Sequence, residues 1–304
     1  MFSVLVLGGG PDRERPVSLR SAAGVADALR EAGYEVNTQT VDKPSLDELN
    51  AMEGDVVFPV LHGPWGEGGP MQLLLEELGR PFVGSGADAS AIAMDKLATA
   101  KLASAAPSVR ISQKAVVDPS RDEPPGDLPL VVKPVREGSS FGVYICTDEA
   151  SWKRAIETVR QDAAKDPSRR YFAEPYVKGR ELTVSVLDGR ALPVIEIVPA
   201  SGVYDYQAKY ERGDTRYLVD PDLPGDLTRT VQNHALLTAD AIGVRDLCRV
   251  DFIMDERSAP WMLEVNTMPG FTPSSLFPMA AKAAGMPMAK LCAKLVELAA
   301  ARGA

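Results

Sequence analysis

Histidine is nearly absent from this 304-residue chain: only His62 and His234 occur, which excludes a histidine-rich metal centre. Cysteine is scarce too. Cys146, Cys248 and Cys292 stand far apart, without the paired spacing of a metal site, and read as small buried residues in a reducing compartment. Long apolar runs are missing, so no membrane-spanning helix is expected. Met1–Gly10 reads as a strand rather than a secretion signal, and a soluble, cytoplasmic protein is the expectation. Basic residues are outnumbered, 33 Lys and Arg against 42 Asp and Glu, for a formal net charge of −9. That argues against a general nucleic-acid binder or a partner of anionic membranes, but leaves room for a small anion held by local cations. Two phosphate-binding fingerprints are also lacking. After Gly8–Gly10 the next glycine is Gly24, so there is no GxGxxG, and GxxxxGK[ST] occurs nowhere.

The length allows two or three domains with real cores, and neither an internal repeat nor a low-complexity tract is visible. In the first third, strand and helix patterns alternate. SVLVLGGG is a strand, a helix follows from near Pro16 to a stop at Gly33, and YEVNTQTV and DVVFPVLHG are further strands. GPWGEGG reads as a glycine-rich loop, MQLLLEELG as a helix and PFVGSG as a short strand. Such alternation implies a parallel sheet with its binding crevice at the strand C-termini, where Glu14 and His62 fall. Taken singly, Glu14 also reads as an ordinary charge near a helix N-terminus and His62 as a loop cap.

Further along, Ser90–Ala105 reads as one helix containing MDK. DPSRDEPPGD is a loop or linker, and LPLVVKP is a strand with Lys133 at its end. REGSSFGV is a loop whose N–H groups and Ser139 and Ser140 hydroxyls could wrap phosphate oxygens. YFAEPYV and ELTVSVL are strands, with Glu174 near the end of one and Glu181 at the start of the next, and DGR turns the chain tightly into ALPVIEIV. The polar stretch 201–226 carries Tyr204, Tyr206, Tyr210 and Tyr217 and reads as a packed Ω-loop or lid. LTRTVQNHALLTADAIG is an amphipathic helix in which His234 has a structural place. One helix closes the chain.

Cys248–Met254 and Trp261–Asn266 flank DERSAP as a hairpin. With the turn centred between Arg257 and Ser258, Asp251 falls opposite Glu264 and Arg249 opposite Asn266. Strand alternation then puts these four polar groups on one face, and Val250, Phe252, Leu263 and Val265 on the other. Facing carboxylates repel. A hard divalent cation reverses that penalty, since Mg²⁺ takes oxygen ligands from one or two carboxylates together with phosphate and water. The plainer meaning of the same pattern is a solvated polar face.

Seven segments taken together, LGGGPDRERPVSL, PVLHGPWGEGG, GSGADASAIAMDK, VVKPVREGSSFGV, YDYQAKY, CRVDF and LEVNTMPGFTPSSL, run from end to end in the order of a known family. The chain resembles the D-alanine–D-alanine ligases of the ATP-grasp superfamily. The resemblance implies an α/β protein of three domains: an N-terminal Rossmann-like α/β domain (1–94), a central α+β domain (95–179) and a C-terminal α+β domain (180–304), with ATP gripped between the last two. It further implies that Lys96, Lys133 and Ser139 hold ATP phosphates, with Lys209 also on the nucleotide. Glu174 and Val177 would meet adenine, and Glu181 the ribose. Asp251, Glu264 and Asn266 would ligate two Mg²⁺ (or Mn²⁺), and Arg249 would sit over the transferred phosphoryl group.

On the same footing, Glu14 helps bind the ammonium of the first D-alanine and His62 lines the substrate site. Ser275 and Leu276 receive the second D-alanine, Gly270 and Arg249 form an oxyanion site, and Tyr210 links Glu14 and Ser139 as the lid closes. The implied activity is ATP-dependent joining of two D-alanines through an acylphosphate, for peptidoglycan precursors, by a homodimer. The loop after His62 departs from the family's usual GEDG or GENG and reads GEGG, with Gly68 in place of an acid or amide. A D-alanine–D-lactate ligase is the nearest alternative, against which Tyr210 stands. A biotin carboxylase-like enzyme would not carry Glu14, His62 and Tyr210 together. An inactive ATP-binding regulatory protein would be expected to have lost Arg249, a metal ligand or the GSS loop.

Overall fold

The computed structural model describes residues 2–200 and 213–303, in which the strands form three sheets. The first is parallel, in the order β2–β1–β3, from β1 (Ser3–Gly9), β2 (Glu35–Val41) and β3 (Val56–Pro59). β1 is apolar on both faces because both are covered. Val4 and Val6 pack with Val25 and Leu29 of helix α1 (Arg15–Glu31), while Leu5 and Leu7 pack with Met71 and Leu75 of α4 (Pro70–Leu78). A short helix, α2 (Leu46–Asn50), was not anticipated. Ser45 and Glu48 close a capping box at its start: Ser45 N donates to Glu48 Oε2 at 2.7 Å and Glu48 N to Ser45 Oγ at 3.3 Å.

Local geometry corrects several sequence expectations. GPWGEGG contains a single helical turn, α3 (Gly63–Gly66), opened by Pro64. PFVGSG contributes only one parallel bridge, Val57 to Phe82. The expected helix Ser90–Ala105 is two, α5 (Ala87–Met94) and α6 (Lys96–Ala103). Asp95 interrupts them in an extended conformation because its carboxylate accepts from Leu97 N and Ala98 N and caps the second helix. Lys96 thereby becomes the first residue of a helix aimed at the site.

The central sheet is antiparallel, in the order β5–β8–β6–β7: β5 (Ala115–Val116), β6 (Leu130–Pro134), β7 (Tyr144–Cys146) and β8 (Tyr171–Pro175). Helix α7 (Glu149–Lys165) covers it, burying Trp152, Ala155, Ile156 and Val159. Those positions keep the i, i+3, i+4, i+7 spacing of an amphipathic helix, although this helix too was not among the expectations.

The large sheet runs β12–β11–β9–β13–β14–β4, with β10 beside β9. Its strands are β4 (Arg110–Ile111), β9 (Gly179–Leu187), β10 (Arg190–Ala191), β11 (Ile195–Val198), β12 (Arg216–Val219), β13 (Leu247–Asp255) and β14 (Pro260–Asn266). Part of the stretch expected as Ω-loop is therefore strand. Residues 201–212, with Tyr204, Tyr206, Lys209 and Tyr210, lie outside the described residues. Helix α8 (Leu227–Ala241) seals one face of the sheet, its Val231 and Ala235 packed with Val184, Val250 and Phe252. His234 is buried in that helix, in the structural place expected, and burial lowers its pKa.

The closing segment is two helices, α9 (Leu276–Ala283) and α10 (Met288–Arg302), separated at Gly285. Phe271, Phe277, Leu291 and Leu295 join the core of the first sheet to Leu187, Ile195 and Leu247 of the large one. The three cysteines are free and buried, as expected. No helix among the described residues is long and apolar enough to cross a membrane.

Candidate catalytic and ligand-binding site

With α8 on one face of the large sheet, the polar residues of β13 and β14 face the other way. Arg249 pairs with Asn266 and Asp251 with Glu264, the register expected from sequence, but the route differs. The loop has three residues, Ser258 is at φ +60°, and Asp255 N donates to Ala259 O at 3.0 Å, so the turn centres on Arg257. A β-bulge beyond Asp251 then sets Phe252 opposite Met262 and restores the offset. The extra residue corrects one assignment: Leu263 leaves the core face and lines the smaller of two adjoining cavities.

The larger cavity, about 520 Å³, gathers Glu14, His62, Lys96, Ser139, Arg249, Glu264, Asn266, Gly270, Ser275 and Leu276. The smaller, about 170 Å³, takes Lys133, Glu174, Val177, Glu181 and Asp251, and shares Lys96 and Glu264 with the first. Apart from Lys209 and Tyr210, which lie outside the described residues, every anticipated site residue thus lines one of two cavities that meet at the hairpin.

In the smaller cavity and at the junction, Asp251, Glu264 and Glu174 each already hold a cation of the chain. The Arg249 fork binds Asp251 through Nε–Oδ1 and Nη2–Oδ2, both at 2.9 Å, and Thr183 Oγ1 donates to Asp251 Oδ1 at 2.6 Å. Lys96 Nζ lies 3.3 Å from Glu264 Oε2 and donates to Glu137 O at 2.6 Å. Its backbone N donates to Val135 O, so Lys96 ties the loop after β6 to the hairpin. Glu174 is buried between Lys133, at 2.6 Å, and Lys114. Burial alone would raise its pKa, but the two ammonium groups overcome that and hold it at about 2. Asn266 Oδ1 accepts from Met268 N at 3.0 Å, which fixes the amide with its oxygen as the acceptor. Two carboxylates and an amide oxygen on one face are all hard donors, and they suit Mg²⁺ sharing its shell with phosphate and water.

The larger cavity is organised differently. Glu14 ends the turn before α1 and accepts from Ser139 Oγ at 2.8 Å. Gly138 permits that approach, because a Cβ there would lie 2.4 Å from Glu14 Oε1. His62 and Glu67 are buried in its wall. His62 Nε2 and Glu67 Oε2 have no hydrogen-bond partner, while Glu67 Oε1 accepts from Gly63 N at 3.0 Å. Burial drives the His62 pKa down to about 4. Burial, reinforced by the Glu14 charge, pushes Glu67 up to about 8, so at neutral pH both are uncharged. The GEGG departure has a steric cause: a Cβ on Gly68 would sit 2.3 Å from Pro64 O. At the far end Ser275 stands at the N-cap position of α9, where its Oγ accepts from Thr272 N at 3.0 Å rather than from a helix N–H. A helix N-terminus beside the cavity favours a carboxylate there.

Sequence reasoning missed Lys114, Ser112, Thr183 and Glu67. Glu67 stood in a segment already singled out, the glycine-rich loop. The other three are polar residues in or beside strands, with no motif spacing to mark them.

Comparison with known proteins agrees with this geometry. A family model described as the D-ala D-ala ligase C-terminus matches residues 116–297. A D-alanine–D-alanine ligase of Ruegeria pomeroyi is 43% identical over 97% of this chain and 95% of its own length, and one of Methylacidiphilum infernorum is 40% identical over 97% and 94%. The crystal structure of D-alanine–D-alanine ligase from Bacillus anthracis complexed with ATP superposes with a TM-score of 0.84 at 29% identity, covering 99% of this chain and 98% of that one. Its mixed α/β architecture is the ATP-grasp fold expected here. With the family model spanning more than half of the chain and relatives this similar over nearly all of it, the chain belongs to the D-alanine–D-alanine ligases.

Proposed function

We propose that the two cavities are the nucleotide and amino-acid halves of one active site, and that the hairpin face at their junction carries the chemistry. The protein is an ATP-dependent, ADP-forming carboxylate–amine ligase that joins two D-alanines for peptidoglycan precursor synthesis. The observation that supports this placing best is the register that sets Asp251 against Glu264 and Arg249 beside them, where the cavities meet.

A carboxylate is a poor acyl donor because oxide is a poor leaving group. The first D-alanine carboxylate therefore attacks the γ-phosphorus of ATP, ADP departs, and an acylphosphate is left. The amine of the second D-alanine attacks that carbonyl, the tetrahedral oxyanion collapses, phosphate leaves and one proton is released. Phosphoryl transfer depends on positioning and charge neutralisation. Lys96, Lys133 and Arg249 are assigned to the phosphates, with Ser139 and Lys209 beside them. Asp251, Glu264 and Asn266 are assigned to two Mg²⁺ (or Mn²⁺). When bound, the metal supplies electrostatic stabilisation of phosphate oxygens.

The apolar walls of the smaller cavity, including Val131, Ile145 and Leu263, suit a flat heterocycle, with Val177 and Glu174 at adenine and Glu181 at ribose. In the larger cavity Glu14 takes the first ammonium, with His62 in the wall behind. The Gly270 N–H and Arg249 face the oxyanion, and Ser275 and Leu276 face the second carboxylate. Tyr210 closes on Glu14 and Ser139, and its hydroxyl favours an amine over D-lactate as second substrate. Domains at 1–94, 95–179 and 180–304, a homodimer and a cytoplasmic location complete the reading. Free buried cysteines fit a reducing compartment.

The test is ADP release with Mg²⁺ and D-alanine, against L-alanine, glycine and D-lactate. ADP matched by free D-alanyl-D-alanine is expected with D-alanine alone. ADP formation that ignores D-alanine contradicts the assignment.

A further inference from the structure

Lys114 lies beside the nucleotide half without lining either cavity. Its side chain is 5% exposed, its ammonium stands 5.2 Å from the centre of the Phe172 ring, and burial lowers its pKa. Burying a lysine beside a strand needs a reason, because an ammonium loses strong hydration there.

The two oxygens of Glu174 are divided. Oε1 holds Lys133 at 2.6 Å. Oε2 holds Lys114 and also accepts from Ser112 Oγ at 2.5 Å, and Lys114 in turn donates to Ser112 Oγ at 3.0 Å. Strand register builds this arrangement: Glu174 of β8 stands opposite Val131 of β6, one pleat from Lys133, while Ser112 and Lys114 approach through the segment entering β5. Lys133 lines the cavity and can turn to a phosphate. Lys114 and Ser112 are held behind.

We propose that Lys114 is a positioning residue for nucleobase selection: it keeps Glu174 charged and aimed while Lys133 leaves for the phosphates. This rests on the assignment of Lys133 to phosphate and Glu174 to the base. Once Lys133 turns away, Oε1 is left facing the cavity as an acceptor for an exocyclic amine, while Oε2 stays anchored. A base with a carbonyl at that position offers an acceptor to an acceptor and is disfavoured. Without Lys114, Glu174 would be buried with no charge partner during the very step that draws Lys133 away.

The experiment compares the parent with Lys114→Met, Lys114→Arg and Ser112→Ala. Steady-state kinetics are run with ATP and with inosine triphosphate, which replaces the amine by a carbonyl. Lys114→Met is expected to raise KM for ATP about tenfold and to lower the ATP-to-inosine-triphosphate preference by a similar factor. KM for D-alanine should stay within about twofold, and Lys114→Arg should recover most of the preference. Ser112→Ala, which keeps both lysines, should move the same ratio in the same direction by about threefold, and it carries the test if Lys114→Met does not fold. A folded Lys114→Met with unchanged KM and preference overturns the proposal. So does a loss shared equally by both nucleotides or falling on D-alanine, which is what a purely structural lysine would produce. If the parent forms no ADP with D-alanine, the functional reading itself fails and this one with it. An active parent with indifferent variants sinks this one alone.

Discussion

The two halves of the site handle buried charge in opposite ways. On the nucleotide side and at the junction, Asp251, Glu264 and Glu174 each already hold a cation of the chain. On the amino-acid side, His62 and Glu67 are carried uncharged, each with one buried polar atom unpartnered. The difference follows the cargo. A polyphosphate with metal brings many charges of both signs, and ion pairs already in place can exchange partners with it without exposing a bare buried charge. An amino acid brings one ammonium and one carboxylate, for which Glu14 and the start of α9 suffice. Further fixed charge in that wall would compete for them.

The largest effect tests the junction. Arg249→Lys should keep ATP binding but lose about a hundredfold or more in kcat, the scale seen when one oriented donor to a developing charge is removed. A single ammonium cannot reproduce the two-pronged hold on Asp251 or a planar fork over the phosphoryl group. ATP titration beside steady-state kinetics checks this, and turnover within a few-fold of the parent would break the assignment.

A matched pair of pH-stability measurements sharpens the contrast further. Glu174 is held at about 2, below its ordinary 4.5. The stability it contributes is present above pH 4.5 and lost as pH falls toward 2, by about 3 kcal/mol. Glu174→Gln should remove that acid slope and also cost about 3 kcal/mol at neutral pH, since it leaves Lys114 and Lys133 buried without a countercharge. Glu67 stands at about 8, above the same 4.5. The folded protein thus keeps a proton that the unfolded chain releases, and this contribution is lost as pH rises from 4.5 through 8. Glu67→Gln should therefore gain on the parent between pH 6 and 9, by roughly a few degrees in Tm. Opposite signs at the two residues are the expectation; slopes of the same sign would remove the contrast.

Much of this was legible in the sequence, for reasons that particular residues make plain. Asp251 and Glu264 face each other because strands alternate and both runs are long enough to pair. The alignment survived a misplaced turn centre only because the bulge absorbed the offset, and Leu263 records the cost by lying on the other face. Asp95 looked like a helix interior because its neighbours are helix formers, yet an Asp that can cap the next helix outweighs that propensity. Helix α7 carried its spacing openly in Trp152, Ala155, Ile156 and Val159. Lys114 carried no such mark. Its place follows from three segments brought together by the central sheet, and a lone lysine near a two-residue strand has no periodicity to betray it. Gly68 was visible as a departure, but its reason, the Pro64 carbonyl, exists only once α3 has formed.

The central claim is that the first D-alanine carboxylate is phosphorylated at the junction of the two cavities. D-alanine labelled with ¹⁸O in both carboxylate oxygens tests it most directly, with the released phosphate read by mass spectrometry. One labelled oxygen should pass into phosphate for each dipeptide formed, because the oxygen that attacks the γ-phosphorus leaves with it. Phosphate free of label, alongside dipeptide, would contradict the account.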